Sequence, residues 1–192
     1  DEFYGWSSGG STPAATNIID KHPFSVDTNA SDVGDLTRSN SSVTGQSSTT
    51  HGYTSGGMPY TNVIDKFPFA SDANATDVGN LTAARRTPGG TSSDVSGYSH
   101  GGLLRTSPSV VWSNVIDKFP FASDVNATDV GDLTAAAEHS GGVSSTSHGY
   151  ATAGSTGGNS STIQKYSFTV DGNSTNIGDL TISTRFMAGH QV

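Results

Sequence analysis

The sequence contains no cysteine and few of the residues from which most proteins build a core. Without cysteine, disulfide bonds, zinc–thiolate sites and thiol nucleophiles are excluded. Hydrophobic residues make up only 32% of the 192 residues, and the formal net charge is −8. This combination is typical of disordered chains, so a folded state requires an additional source of order.

Basic residues and long apolar runs are also scarce. The chain has 9 Lys and Arg against 17 Asp and Glu. Nucleic acid is therefore not an expected partner, because binding a phosphate backbone requires clustered Lys and Arg. No apolar run approaches the roughly 20 residues of a membrane-spanning helix, and no signal-peptide pattern is visible.

Internal sequence repeats provide the additional source of order that a folded state requires. One block occurs four times, as TNIIDKHPFSVDTNASDVGDLT (16–37), TNVIDKFPFASDANATDVGNLT (61–82), SNVIDKFPFASDVNATDVGDLT (113–134) and SSTIQKYSFTVDGNSTNIGDLT (160–181). An aromatic residue followed by small residues precedes each block, at Trp6, Tyr53, Tyr98 and Tyr150. The repeat length is about 48 residues, and a period in the forties is typical of propeller blades, solenoids and other arrays.

Each repeat reads as short strands. In NVIDKF, side chains alternate between two faces, and Pro68 cannot donate to a strand ladder, so it should end the strand. No repeat carries a helical period. We expect four antiparallel strands per repeat, which in the second repeat cover 45–48, 51–55, 62–67 and 75–82. The aromatic residue should fill the gap between neighbouring units, and the diglycine that follows it should turn with positive φ.

Four-stranded units in series predict an all-β fold, a four-bladed β-propeller with four antiparallel strands per blade in a single domain over 1–192. The segment GHQV at 189–192 matches TGQS at 44–47, and DEFYGW at 1–6 matches STTHGY at 48–53. The first and last segments are therefore expected to share one blade. The ring should close by pairing of the N- and C-terminal strands.

The repeats resemble kelch-type propeller repeats in their small-residue strand, aromatic–Gly–Gly phrase, DKFPF strand and Arg after the fourth strand, as at Arg85 and Arg185. They depart from that pattern in carrying Val78 and Leu81 where kelch repeats have Trp. The segments DKFPFASDANATDVGNLT (65–82) and DKFPFASDVNATDVGDLT (117–134) are similar to repeats in proteins of marine bacteriophages, including cyanophages. The resemblance implies a propeller used for structure or binding on a phage particle, with a virion or extracellular location.

Several repeated positions invite a chemical role. All four Lys occupy one repeat position, which favours a contact between neighbouring units or a solvated strand position over a ligand site. The turns DANATD and DVNATD place oxygen side chains at alternate positions, as calcium sites do. Weak calcium candidates are Asp72, Asn74, Asp124 and Asn126. The alternative is capping of the turn by these side chains, and no cofactor is expected.

Sequence variation between repeats collects in the loops of one face, which specific recognition requires. The loop at 103–113 (LLRTSPSVVWS) is the long apolar insertion among them. Trp and Arg are common anchors of interfaces. We predict that a binding surface is formed by Trp112, Arg105, Leu104, Tyr60, Arg85 and Arg86. In the alternative interpretation, Val110 to Trp112 extend the next strand into the core.

No catalytic constellation stands out. The six His are scattered among repeat positions, and Glu138 is the carboxylate that the variable face offers. We therefore expect no enzyme, but a virion-associated module that recognises a host-surface glycan or protein. The alternatives are an architectural particle protein that docks to other virion proteins or to copies of itself, and a glycan hydrolase, which would need a second carboxylate.

Overall fold

The computed structural model describes residues 4–106 and 108–190, and the strands in this part of the chain confirm an all-β protein. The strands are β1 (Tyr4–Ser8), β2 (Thr16–Pro23), β3 (Ser31–Asn40), β4 (Thr44–Ser47), β5 (His51–Ser55), β6 (Thr61–Pro68), β7 (Thr76–Arg86), β8 (Gly89–Ser92), β9 (Ser96–His100), β10 (Leu103–Thr106), β11 (Ser109–Trp112), β12 (Val115–Pro120), β13 (Thr128–Asp132), β14 (Gly141–Ser144), β15 (His148–Thr152), β16 (Ser160–Ser167) and β17 (Thr175–Thr184).

These strands form four antiparallel sheets. The first has the order β1-β2-β3, the second β11-β10-β7-β6-β5-β4, the third β13-β12-β9-β8 and the fourth β14-β15-β16-β17. The four strands expected for the second repeat are present as β4 to β7, and β6 ends at Pro68 as predicted. The diglycine turns also have positive φ, for example Gly56 at 66° and Gly57 at 125°.

A β-bulge recurs where the last two strands of each repeat pair. In the second sheet the register shifts between Ile64 and Asp65, opposite Gly79, and the other three sheets shift at the equivalent place. A bulge re-aims the side chain beside it, which here is Asp65. Gly79 has a φ of 158°, and a Cβ added to it would meet the backbone carbonyl of Val125 in the next sheet. Glycine is therefore required for the close approach of neighbouring sheets.

Neighbouring sheets pack face to face at three junctions, which we call the first, second and third junctions in chain order. Each buries one cluster, built at the second junction around Tyr53, Leu81 and Phe119. An aromatic ring of one sheet stacks on a phenylalanine of the next at each junction. The pairs are Trp6 on Phe69 (4.2 Å between ring centroids), Tyr53 on Phe121 (4.8 Å) and Tyr98 on Phe168 (4.8 Å). The aromatic residue thus fills the gap between units, as expected.

Polar contacts repeat at the three junctions with the same geometry. A lysine of one sheet pairs with an aspartate of the next, as Lys21–Asp72 (3.1 Å), Lys66–Asp124 (2.8 Å) and Lys118–Asp171 (2.8 Å). An asparagine side chain of that next sheet accepts a backbone N–H, as Asn74 does from Asp35 at 3.0 Å. Asn126 and Asn173 do the same. Three of the four repeated lysines therefore join sheets, which confirms their interpretation as contacts between units.

The short strands β4, β8 and β14 lie side by side along the inner edges of the second, third and fourth sheets. The N–H of Ser47 donates to the hydroxyl of Ser92 at 3.0 Å, and the N–H of Ser92 donates to that of Ser144 at 3.2 Å. The backbones approach so closely that a Cβ at Gly142 would meet the carbonyl of Gly90. Small residues at these positions are thus required by packing.

The prediction of a closed four-bladed β-propeller is wrong. None of the four sheets closes, the first sheet has β1 at its free edge, and residues 187–190 form no strand that could pair with it. A Cβ at Gly178 would meet no atom within 4 Å, whereas Gly34, Gly79 and Gly131 each meet the backbone of the next sheet. The described residues leave an open cleft of about 480 Å³ lined by Tyr4, Trp6, Ser8 and small residues of β4, β8 and β14.

The number of repeats predicts the number of sheets, but it does not predict whether the ring closes. Closure depends on the rotation from each sheet to the next. That rotation is set by side-chain packing at the junctions. Of the two terminal matches, residues 4–6 lie in β1 as the match to β5 indicates, whereas residues 189–190 form no strand equivalent to β4. The rest of both matched segments, residues 1–3 and 191–192, lies outside the described residues.

Candidate binding surface

The insertion at 103–113 folds into a hairpin on the edge of the second sheet. Strands β10 and β11 pair with each other, and β10 pairs with β7 through Leu103 opposite Arg86 and Leu104 opposite Arg85. The alternative interpretation, in which Val110 to Trp112 extend the following strand into the core, is wrong because β11 is separate from β12 and its side chains are exposed.

Trp112 lies on the hairpin with 38% of its surface exposed, and polar contacts fix its orientation. The indole Nε1 donates to Oε1 of Glu138 at 3.3 Å, and Oε2 of Glu138 accepts from the hydroxyl of Thr87 at 3.2 Å. The edge of the indole also faces the loop that contains Gly157, where an added Cβ would lie 3.5 Å from Cη2. The ring is therefore held between two loops instead of moving freely.

Arg86 and Tyr60 form the second aromatic element of this surface. The guanidinium carbon of Arg86 lies 5.4 Å from the centre of the Tyr60 ring, within the range of a cation–π contact. The pairing of β11 with β10 and of β10 with β7 sets Trp112, Leu103 and Arg86 in a row across three strands. On the same hairpin Leu104 is half-buried and Arg105 is exposed.

Arg85 occupies the interior instead of this surface. Its side chain is 0% exposed, and Nη2 lies 2.8 Å from Oδ2 of Asp117, which is equally buried. Nη1 donates to the backbone carbonyl of Gly101 at 3.1 Å. Arg85 therefore joins the second and third sheets from inside, and it does not belong to the binding surface. The remaining predicted residues are Trp112, Arg105, Leu104, Tyr60 and Arg86.

A pocket of about 440 Å³ lies on the other side of Thr87, lined among others by Pro88, His139, Ser140 and Phe186. The His139 ring lies 3.9 Å from the ring of Phe186. Burial lowers the pKa of His139, and the positive charges of Arg86 and Arg185 add to this effect against the opposing Glu138 carboxylate. The pocket is therefore lined by a neutral imidazole at neutral pH.

Sequence reasoning missed how Glu138 is used. The sequence presents it only as an isolated carboxylate, whereas in the structure it links Trp112 to Thr87 and lies 3.5 Å from Nδ1 of His139. Thr87 and His139 both have positive φ, 54° and 56°. Neither is a glycine or asparagine, so no residue type in the sequence signalled these turns.

The calcium candidates take part in the junctions. Asp72 and Asp124 pair with lysines, while Asn74 and Asn126 accept backbone N–H groups from the preceding sheet. In residues 4–106 and 108–190, no three His, Asp or Glu side chains form a group that could hold a metal ion. The oxygens of these turns therefore have a structural use in joining sheets.

One buried polar cluster lies apart from this surface. His100 is completely buried, and its Nδ1 lies 3.1 Å from the hydroxyl of Tyr166, which in turn lies 2.6 Å from the Thr91 hydroxyl. Burial lowers the pKa of His100 to about 4, with the charge of Arg85 adding to the effect. His100 is thus neutral in the fold at neutral pH and is closed off from solvent.

Neither the protein-family models nor the curated proteins compared with this chain give a match. Within the described ranges, no helix has the length and apolar character needed to cross a membrane.

Proposed function

We propose that this chain is a non-enzymatic binding module of a bacteriophage particle, which recognises a host-surface glycan or protein through the loop surface around Trp112. The observation that carries the proposal is an exposed indole held in place by Glu138 on a hairpin that has no equivalent in the other repeats over the part of the chain that the structure describes. Large aromatic side chains that are already ordered lose little entropy on binding, and they dominate interface energies. The phage location rests on the sequence resemblance.

The chemistry of the surface suits a sugar ring. An indole offers a flat apolar face for the C–H groups of a pyranose. The Glu138 carboxylate beside it and the Arg86 guanidinium two strands away are groups that can bond hydroxyl groups. Glu138 has one oxygen on Trp112 and the other on Thr87. Its contacts therefore position the indole, and a hydrolase would require a second carboxylate at a suitable distance.

The architectural alternative has its own supporting observation. Val110 and Val111 are exposed on β11, which is an unpaired edge of the six-stranded second sheet. An exposed apolar edge strand can pair with a strand from another protein. In that case the hairpin would dock onto a particle protein, and Trp112 would contact that neighbour in place of a glycan.

The test uses Trp112→Ala. Truncation of an interface anchor costs about 2 kcal/mol, which is about thirtyfold in affinity. We expect binding to host cells and to arrayed host-surface glycans to weaken by that factor, while the melting temperature stays unchanged.

The matched control is Trp6→Ala, the other tryptophan of the chain. Trp6 stacks on Phe69 inside the first junction, so its loss should lower stability by about 3 kcal/mol or more. A Trp112→Ala protein that binds host cells as the unmodified protein does would remove the recognition hypothesis. Retained glycan binding with lost attachment to purified particles would favour the architectural alternative.

A further inference from the structure

The outer faces of the first and fourth sheets carry the two halves of a junction that is not made within the described chain. We call them the first-sheet face and the fourth-sheet face. The fourth-sheet face comprises Tyr150, Lys165, Ile177, Gly178 and Thr181, and the first-sheet face comprises Asp20, His22, Phe24, Asp27 and Asn29. Each of these residues has the repeat position of a residue that contacts a neighbouring sheet at the internal junctions.

The fourth-sheet face presents the groups that reach toward a following sheet. Lys165 has the position of Lys21, Lys66 and Lys118, and Tyr150 has that of Trp6, Tyr53 and Tyr98. The three other lysines pair with an aspartate and the three other rings stack on a phenylalanine. In residues 4–106 and 108–190, Lys165 has no ion pair and Tyr150 has no ring contact.

The first-sheet face presents the groups that receive a preceding sheet. Asp27 and Asn29 have the positions of Asp72 and Asn74. The His22 and Phe24 rings lie 5.5 Å apart at 74°, and Phe67 and Phe69, which form the equivalent pair under Trp6, lie 6.0 Å apart at 72°. The receiving aromatic pair is therefore already in its bound geometry, although Phe24 is 67% exposed.

Apolar side chains are exposed on the fourth-sheet face where their counterparts are covered. Ile177 is 49% exposed, whereas Val33, Val78 and Val130 at the same repeat position pack against the three buried clusters. Gly178 has the φ of 151° that elsewhere lets the next sheet approach, yet it faces open space. This face thus has the shape of a junction without its second half.

We propose that the fourth-sheet face of one copy of this chain binds the first-sheet face of a second copy, forming a fourth junction with the contacts of the other three. In it Lys165 pairs with Asp27 and Tyr150 stacks on Phe24. The second copy is the occupant because one chain carries both complementary halves and, within residues 4–106 and 108–190, its fourth-sheet face does not pack on its first-sheet face. Such a head-to-tail interface continues from copy to copy, as a row or as a ring of several chains. This inference does not depend on the proposed function of the loop surface.

Sedimentation equilibrium over a range of protein concentrations gives the first test. The average mass should rise with concentration above that of one chain. Ile177→Arg places an unpaired charge in the proposed junction and should weaken association by at least about tenfold. The control Val95→Arg changes a side chain that is 69% exposed in the β8–β9 turn, and should associate like the unmodified protein. A single-chain mass at every concentration overturns the proposal.

Cross-linking then identifies which faces meet. The chain lacks cysteine, so Lys165→Cys and Asp27→Cys each introduce a unique thiol for a short bismaleimide. A mixture of the two variants should give a cross-linked dimer, and either variant alone should give none. When both substitutions are in one chain, a ladder of multiples is expected. A single-chain band that migrates faster than the unmodified protein would mean that the two thiols of one molecule are cross-linked to each other, and it would overturn the proposal. The absence of any cross-linked product would also overturn it.

Charge exchange provides a check that does not depend on cross-linking. Lys165→Asp and Asp27→Lys should each weaken association alone, because like charges then face each other. Mixing the two variants brings the introduced aspartate of one chain against the introduced lysine of another, and association should recover in the mixture. Contact between the two ends of a single molecule would show no recovery on mixing. Melting curves of each variant, matched to that of the unmodified protein, establish that the sheets remain folded.

Discussion

The second and third junctions both bury a hydrogen bond from a threonine hydroxyl, but its acceptor is a carboxylate in an ion pair at the second junction and a neutral amide at the third. At the second junction, the hydroxyl of Thr82 donates to Oδ1 of Asp117 at 2.7 Å, and Arg85 contacts the other oxygen at 2.8 Å. At the third, the hydroxyl of Thr134 donates to Oε1 of Gln164 at 2.7 Å, and this acceptor carries no charge. The same contact is therefore made once with a buried ion pair and once with a neutral amide.

The first junction is a third variant of the same design. Thr37 donates its hydroxyl to Asp65 at 2.7 Å and its N–H at 3.1 Å, but in residues 4–106 and 108–190 Asp65 has no ion pair. Burial raises the pKa of Asp65, and the Thr37 hydrogen bonds and the charge of Arg38 only partly oppose it. The comparison shows that the hydrogen bond from threonine is common to the three junctions, whereas a charged acceptor is present at two of them and an ion pair to it at the second.

The largest effect should come from breaking the ion pair of the second junction. Arg85→Leu leaves the Asp117 carboxylate buried without its partner, which costs about 3–5 kcal/mol. We expect urea unfolding to show this loss in the free energy of unfolding. Arg38→Leu is the control, because Arg38 is exposed and should change stability by less than about 0.5 kcal/mol. Equal effects of the two substitutions would contradict a special role for the buried pair.

A pH titration tests the interior that Arg85 shares with His100. The folded pKa of His100 is about 4, below the ordinary value of 6.5, so between these values the unfolded chain binds more protons than the folded one. Stability should therefore fall as the pH falls from 6.5 to 4, by on the order of 3 kcal/mol from this group.

The readout is the difference between the unmodified protein and His100→Gln, measured by thermal unfolding across this range. The variant has no imidazole to protonate, so its stability should decline less steeply as the pH falls. Parallel curves for the two proteins would show that His100 is not the group responsible.

Replacing the ion pair of the second junction with neutral groups, as at the third junction, should restore most of the stability that Arg85→Leu loses. In Arg85→Leu with Asp117→Asn, the carboxylate is removed along with the guanidinium, and an amide can still bond Thr82 as Gln164 bonds Thr134. Replacing a buried ion pair by neutral groups is often close to neutral. We expect the double variant to lie within about 1 kcal/mol of the unmodified protein, and a double-mutant cycle to show strong coupling. Additive losses would refute the equivalence of the two junctions.

The smallest effect is expected at the first junction, from Asp65→Asn. The folded pKa of Asp65 is raised, so above the ordinary value of 3.8 the folded chain binds more protons than the unfolded one and this group's contribution falls as pH rises. The introduced amide removes the buried charge but keeps one of the two hydrogen bonds from Thr37, because only its oxygen can accept. At neutral pH we expect a change within about 1 kcal/mol, since removal of the charge offsets the loss of one acceptor, and denaturant unfolding at pH 7 measures it. A loss of several kcal/mol would show that the carboxylate itself is needed.

The sequence predicted the repeating contacts more reliably than the unique ones. The lysine position, the aromatic residues and the diglycine turns each occur in several repeats, so their structural use could be inferred from recurrence. Glu138 has no repeated pattern of that kind, and the Arg that follows the fourth strand at Arg85 has its counterpart at Arg185 but none in the third repeat. The sequence predicts a surface position for Arg85 because it lies in a variable loop and because Arg is a common interface anchor. Only the packing of the third sheet against the second shows that Arg85 forms an ion pair with Asp117.

The sequence by itself determined the strands, their order within a repeat and the residues that join one repeat to the next, because these depend on local alternation, on turn residues and on recurrence. The tertiary structure alone decided that the first and fourth sheets each leave one face open and that Trp112 stands on a separate hairpin held by Glu138. Both outcomes depend on distances between segments far apart in the chain, since the rotation at each junction accumulates over four sheets and the partner of Trp112 lies in another loop. Local sequence does not determine these long-range distances, so they are set only when the side chains pack.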